Sequence, residues 1–228
     1  MAGPVFYLIP GLGANGRIFE RLRLAGTVHI LEWLEPAAPD EPLITYAARL
    51  AAPIPSDEVC WLVGVSFGGV VALEIANQRP KARVVLISSI SDPVERTGWV
   101  ALGRWLRADA WLPIALLRKM PYAAGWFFGV SGTQATVLLR EMLSHLTPTY
   151  TPWALRCLFR WPGCAVRPVA HLLGDRDRVF PAGQRSATHL IPGGTHFMVV
   201  THAAIISGIL NALAAAPQSL AASPTLHP

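Results

Sequence analysis

Residues 59 to 76 read Val59-Cys60-Trp61-Leu62-Val63-Gly64-Val65-Ser66-Phe67-Gly68-Gly69-Val70-Val71-Ala72-Leu73-Glu74-Ile75-Ala76. The opening run is short and almost wholly apolar, the pattern of a strand buried on both faces of a parallel sheet. Val70 to Ala76 supplies the helix that must follow such a strand. Between them stands Gly64-Val65-Ser66-Phe67-Gly68. A turn this tight leaves its serine strained at the apex, and the flanking glycines are needed because a Cβ there would strike the neighbouring strand or helix. A glycine-flanked serine in an ordinary loop carries no chemistry; a strand before it and a helix after it mark Ser66 as a nucleophile.

A serine hydroxyl is a weak nucleophile unless a base takes its proton, and that base must be oriented by a third group. Downstream, Val169-Ala170-His171-Leu172-Leu173-Gly174-Asp175-Arg176-Asp177-Arg178-Val179-Phe180-Pro181 reads as a buried strand ending in a polar loop that carries carboxylates. A further strand near Ala187 to Ile191 leads into Pro192-Gly193-Gly194-Thr195-His196-Phe197, a glycine-rich loop that brings one histidine to the same end of the sheet. His196 is the expected base. His29, His171 and His189 fall in or beside apolar strand patterns and read as structural imidazoles. His145 belongs to the middle segment, His202 to the closing helix where it could line an entrance, and His227 to the tail.

With the order serine, acid, histidine on loops after successive strands, the chain resembles the α/β-hydrolase superfamily over nearly its whole length. The resemblance implies a mostly parallel sheet with helices on both faces. It implies an acid three residues after a strand-ending glycine with a proline four further on, which selects Asp177 between Gly174 and Pro181. Asp175 is the second choice, and Asp92 in Ser91-Asp92-Pro93 the third, because some members carry the acid there. Asp175 and Asp177 cannot both orient the base; the other is expected as a solvated charge near Arg176 or Arg178.

Acyl transfer also needs donors aimed at the oxyanion. Val5 to Ile9 has a strand pattern, and Pro10-Gly11-Leu12-Gly13-Ala14-Asn15-Gly16 follows as a glycine-rich loop. In the family this loop usually begins His-Gly, and the next backbone N–H is half of the oxyanion hole. The resemblance assigns that role to Leu12 and the second half to Phe67. Pro10 stands in place of the histidine, removing a polar group that often helps to hold the loop. Gly11-Leu12-Gly13 lacks the further glycine or lysine of a phosphate cradle.

At 228 residues, 52% of them hydrophobic and 14% charged, the chain is expected to build one sizeable core and not to be disordered. Three cysteines without framework spacing argue against a disulfide scaffold and fit a reducing, cytoplasmic setting. The N-terminal apolar stretch lacks a basic leader and runs into the glycine-rich loop, so no signal peptide is expected. Pro113, Arg118, Lys119 and Pro121 interrupt the apolar run 110–130, so no transmembrane span is expected. No cofactor and no metal site are expected.

Strand and helix patterns alternate from Val5 to Ser88, break, and resume at Val169. The expected organisation is a core of residues 1–91 and 168–216, a helical lid at 92–167, and a loose tail at 217–228. Fuller members of the family carry two more strands before the loop at residue 10. The sheet is therefore expected to have about six strands, with the strand at 28–34 as an exposed edge through which a dimer could form, although Glu32 and Glu35 there discourage pairing with another chain.

From Arg96 to Arg167 there are eight arginines and Lys119 against Asp109 and Glu141, a net +7 where the whole chain is +5. Six of the eight tryptophans lie there: Trp99, Trp105, Trp111, Trp126, Trp153 and Trp161. The pattern suits either a lid core with a solvated basic face, or contact with an anionic membrane surface or a lipophilic anionic substrate. Nucleic acid is not an expected partner, because the charge forms no recognised module. Val65, Trp99, Trp126, Phe127, Phe128 and Phe197 are the candidate pocket residues. The expected activity is hydrolysis of an ester or thioester through an acyl-enzyme on Ser66. Acyltransferase, lactonase or cofactor-free haloperoxidase activity, or a silent binding module, are the alternatives on the same fold.

Overall fold

A computed structural model describes residues 3–111, 119, 121–182 and 187–216. The expected tail at 217–228 and much of the apolar run after Trp111 lie outside the described residues. Six strands form one sheet in the order β2-β1-β3-β4-β5-β6: β1 Val5–Ile9, β2 Thr27–Ile30, β3 Trp61–Val65, β4 Arg83–Ile87, β5 Ala170–Gly174 and β6 His189–Ile191. Every neighbouring pair is parallel.

Side chains alternate across the strands, and both faces are covered. Tyr7, Ile9, Leu62, Val84 and Leu86 point to one side, where α1 (Leu43–Leu50) and α2 (Phe67–Gln78) bury Tyr46, Leu50, Val70 and Leu73 against them. Phe6, Leu8, Val63, Val85, Ile87 and Leu172 point to the other. There they meet a short 3-10 turn at Gly16–Phe19 and the later helices α8 (Met198–Thr201) and α9 (Ala203–Ala215). Both helical layers thus cover a sheet too apolar to face water.

Between β4 and β5 the chain is helical after a 3-10 turn at Pro93–Glu95: α3 Gly98–Trp105, α4 Ala108–Trp111, α5 Pro121–Phe128, α6 Thr133–Ser144 and α7 Tyr150–Arg160. Part of this insertion is bonded into the core. Trp153 donates its indole N–H to the Glu41 carbonyl at 2.8 Å, and Trp161 donates to the buried Glu74 carboxylate on α2 at 2.6 Å.

The strand order places β1 between β2 and β3, so the chain moves outward from β1 in both directions. At such a reversal the loops leaving the carboxyl ends of adjacent strands diverge and open a crevice. The loop after β1 and the turn after β3 flank that crevice, with Ile9 registered against Gly64. The edge strand is Thr27–Ile30, shorter than the expected 28–34, and it is exposed along its length. The adjoining carboxylates are used within the chain: Glu32 accepts the Gly16 N–H at 2.9 Å, and Glu35 accepts the Thr147 hydroxyl at 3.3 Å.

Candidate active site

Ser66 sits between β3 and α2 with φ 54° and ψ −123°, a backbone conformation rare for a side chain larger than glycine. Its neighbours show why the turn can be so sharp. A Cβ on Gly64 would lie 2.4 Å from the Gly68 carbonyl oxygen, and one on Gly68 would lie 2.3 Å from that of Pro10. The strain is held from three directions. The Ser66 N–H donates to the Ile87 carbonyl at 3.0 Å, while its carbonyl accepts the Gly69 N–H at 2.9 Å and the Ser89 hydroxyl at 2.6 Å. Behind Ser89, the ring Nε2 of buried His171 lies 3.1 Å from the Ser89 carbonyl oxygen, the structural setting expected for that histidine.

His196 Nε2 is 3.0 Å from Ser66 Oγ, and its Nδ1 is 3.0 and 3.2 Å from the two carboxylate oxygens of Asp177. Both side chains, His196 and Asp177, are buried. Asp177 Oδ1 also accepts the N–H groups of Val179 at 2.8 Å and Phe180 at 2.9 Å. Burial pushes the Asp177 carboxyl up, but the His196 charge and hydrogen bond, with the two backbone donors, outweigh it and leave the group below the usual carboxylate value. An ionised, immobile Asp177 fixes the imidazole with Nε2 toward the serine. In that state Nε2 can accept the hydroxyl proton.

The other two candidate acids have different partners. Asp175 accepts the Gly193 N–H at 2.7 Å, so it holds the loop that carries His196 instead of the imidazole itself. Asp92 caps the 3-10 turn by accepting the Val94 N–H at 2.9 Å and lies 3.8 Å from Arg167. His202 bonds with the Thr201 hydroxyl, and His145 is exposed beside the loop after β1.

Where the expected histidine of that loop is replaced by Pro10, another residue supplies the tether. Trp33 donates its indole N–H to the Gly11 carbonyl at 3.0 Å and stacks on Phe67 at 5.6 Å. One side chain therefore bridges the two segments that carry Leu12 and Phe67. Sequence reading missed it, because Trp33 lies just past the edge strand with no motif around it. Further along the loop, Asn15 donates to Glu141 of α6 at 3.0 Å, and Arg17 pairs with the same carboxylate.

Ser66 and His196 open into a cavity of about 370 Å³ whose walls include Leu12, Val65, Phe67, Trp99, Phe127, Phe128, Leu139, Leu155 and Phe197. Five of the six expected pocket residues are there. The exception is Trp126: on α5, Ala123, Ala124, Phe127 and Phe128 face the cavity, so Trp126 turns with Tyr122 to the opposite face and is 67% exposed. Phe128 and Phe180 bracket the imidazole, each ring 5.5 Å away. Among the described lining residues, Thr151 is the polar side chain besides Ser66 and His196, and none is charged. None of the described basic groups of the insertion is among these lining residues.

The sequence profile of the alpha/beta hydrolase family matches residues 6–207. The magnesium-chelatase 30 kDa subunit of Rhodobacter capsulatus is 26% identical over 209 residues, 79% of this chain and 73% of that protein. A carboxylesterase structure from the thaumarchaeon Nitrososphaera gargenis is similar at a TM-score of 0.69 and 17% identity, over 92% of this chain and 89% of that one. Bromoperoxidase from Bacillus anthracis is similar at a TM-score of 0.67 and 16% identity, over 92% and 91%. At those identities the two structures speak for the fold. Strand order, elbow and profile agree, and the chain belongs to the α/β-hydrolase family.

Proposed function

We propose that the protein is a serine hydrolase that cleaves a neutral, apolar carboxylic ester or thioester. The observation that carries this reading is the unbroken series from Asp177 through His196 to Ser66 Oγ, opening into an apolar cavity. His196 takes the Ser66 proton as Oγ attacks the substrate carbonyl carbon. The N–H groups of Leu12 and Phe67 stabilise the negative oxygen, in the manner the family uses. Collapse of the tetrahedral species expels the alcohol or thiol, which receives its proton from His196, and leaves an ester on Ser66. Water then enters and attacks the acyl carbon as His196 takes its proton; the bond from that carbon to Ser66 Oγ breaks, His196 returns the proton to Oγ, and the acid is released. Asp177 holds the imidazole throughout.

The insertion acts as a lid in this scheme: Phe127 and Phe128 close one wall, and Phe128 shields the imidazole from solvent. A cavity with no charged side chain among its described lining residues disfavours a charged acyl group, whose desolvation those residues do not compensate. Its volume lies toward the low end of small-molecule sites, which run to about 300–1,000 Å³. Hydrolysis of p-nitrophenyl esters from acetate to palmitate is expected to peak at medium acyl length, and a succinyl half-ester is expected to turn over far more slowly. Absence of hydrolysis across the whole series would remove the reading, and turnover only with an added alcohol acceptor would redirect it to acyl transfer.

A further inference from the structure

The helices that line the cavity also carry an exposed apolar surface on their outer sides. On α5, Tyr122 and Trp126 are 83% and 67% exposed, one helical turn apart. Leu102 and Trp105 of α3, with Leu106 directly after it, are 53%, 78% and 43% exposed. The two helices meet inside, where Trp99 and Phe127 pack edge to face at 5.6 Å. Large side chains left in water on one stretch of chain are a cost to a soluble protein and mark a contact surface.

The one charged side chain on these two helices, Arg104, is basic. Neither α3 nor α5 contains a carboxylate. Arg104, Arg107 and Arg178 are exposed and form no ion pair among the described residues. The Arg178 guanidinium lies 4.3 Å from the centre of the Trp126 ring, leaving its outer face to solvent. Asp109, the nearby acid, is buried and paired with Arg156 at 3.2 Å. Tryptophan and tyrosine with arginine, on helices that carry no carboxylate, match the headgroup layer of an anionic bilayer, where amphipathic rings settle at the interface and cations meet lipid phosphates.

We infer that the outer faces of α3 and α5 dock this protein on an anionic membrane surface, with Trp105, Trp126 and Tyr122 entering the headgroup region. The same helices then stand between the lipid phase and the cavity lined by Trp99, Phe127 and Phe128, so an apolar ester dissolved in the bilayer lies next to its site. Docking uses no group of the Ser66 chemistry and is testable apart from it.

The test is co-sedimentation with phosphatidylcholine vesicles, with and without phosphatidylglycerol, at low and high salt. Native protein, Ser66→Ala, Trp105→Ser/Trp126→Ser and Arg104→Glu are compared, with hydrolysis of a short soluble ester by the variants other than Ser66→Ala as the check on folding. Native protein and Ser66→Ala are expected to pellet with the anionic vesicles alone and to be released by salt. Arg104→Glu, which removes one interfacial positive charge worth about five-fold and adds a repelled negative one, is expected to bind more than about five-fold more weakly. The tryptophan pair variant is expected to lose binding while hydrolysing the soluble ester as before. No pelleting of native protein, pelleting unaffected by the tryptophan changes, or equal binding to neutral vesicles would overturn the inference. So would a native dimer in lipid-free sedimentation velocity that the tryptophan pair variant abolishes, since a second copy would then cover the face. Loss of ester hydrolysis with vesicle binding intact would count against the hydrolase reading and leave docking standing.

Discussion

At the scale of single residues, the site depends on side chains whose roles come from distance and not from motif. Trp33 is the clearest case. Trp33→Phe keeps a ring against Phe67 but removes the hydrogen bond to the Gly11 carbonyl. Steady-state kinetics on a medium-chain ester are expected to show kcat down about ten-fold with KM little changed, since a small displacement of an oxyanion donor acts on the transition state. Asp177→Asn is expected to lower kcat by about ten-thousand-fold through the wrong imidazole tautomer. Asp175→Asn keeps an oxygen for the Gly193 N–H and is expected to stay far more active. The Asp177 carboxyl has a second consequence. Because its folded-state value lies below the ordinary value of about 3.9, the stability it contributes is complete above about pH 4 and is lost as pH falls through the lower folded value. Denaturant melts of native protein and Asp177→Asn should show a constant gap above that range and a closing one below it. Ser66 and His196 were legible because each stands in a glycine-framed loop after a strand pattern. The acid was narrowed only by family spacing, since two aspartates share one loop and both accept backbone N–H groups.

At the scale of elements, the buried strands were the most readable because they are apolar on both faces. Their ends were less so: β3 begins at Trp61, with Val59 half exposed before it. Cohesion at the elbow comes from close backbone approach. Gly68→Ala would place a Cβ 2.3 Å from the Pro10 oxygen, and is expected to cost about 2–3 kcal/mol by pushing α2 from β1. Gly208 offers the contrast: it lies inside α9 with nothing near its missing Cβ, so Gly208→Ala is expected to stabilise by about 0.5–1 kcal/mol. Thermal melts of the two variants should move in opposite directions. The insertion was legible as helical, but the fates of its tryptophans were not. Trp153 and Trp161 are buried by bonds to Glu41 and Glu74, residues far away in the chain, whereas Trp105 and Trp126 face outward. Local periodicity in short, proline-broken helices does not separate these cases.

At the scale of the molecule, the strand order sets the site: reversal at β1 opens a crevice between the loop after β1 and the turn after β3, and β5 and β6 deliver Asp177 and His196 to the same end. From the insertion, Phe127 and Phe128 line the cavity, whereas Trp105, Tyr122 and Trp126 face outward. This division of surfaces was invisible in composition, which records a net charge for the segment but not which side of a helix carries it. All of it rests on Ser66 being an activated nucleophile. The direct measurement is intact-mass and peptide analysis after treatment with a fluorophosphonate, on native protein, Ser66→Ala and His196→Ala, each checked for folding by circular dichroism. The account predicts a single adduct on native protein, located on the peptide containing Ser66, with none on Ser66→Ala and almost none on His196→Ala. A folded native protein that takes up no reagent, or an adduct that persists in Ser66→Ala, would contradict it.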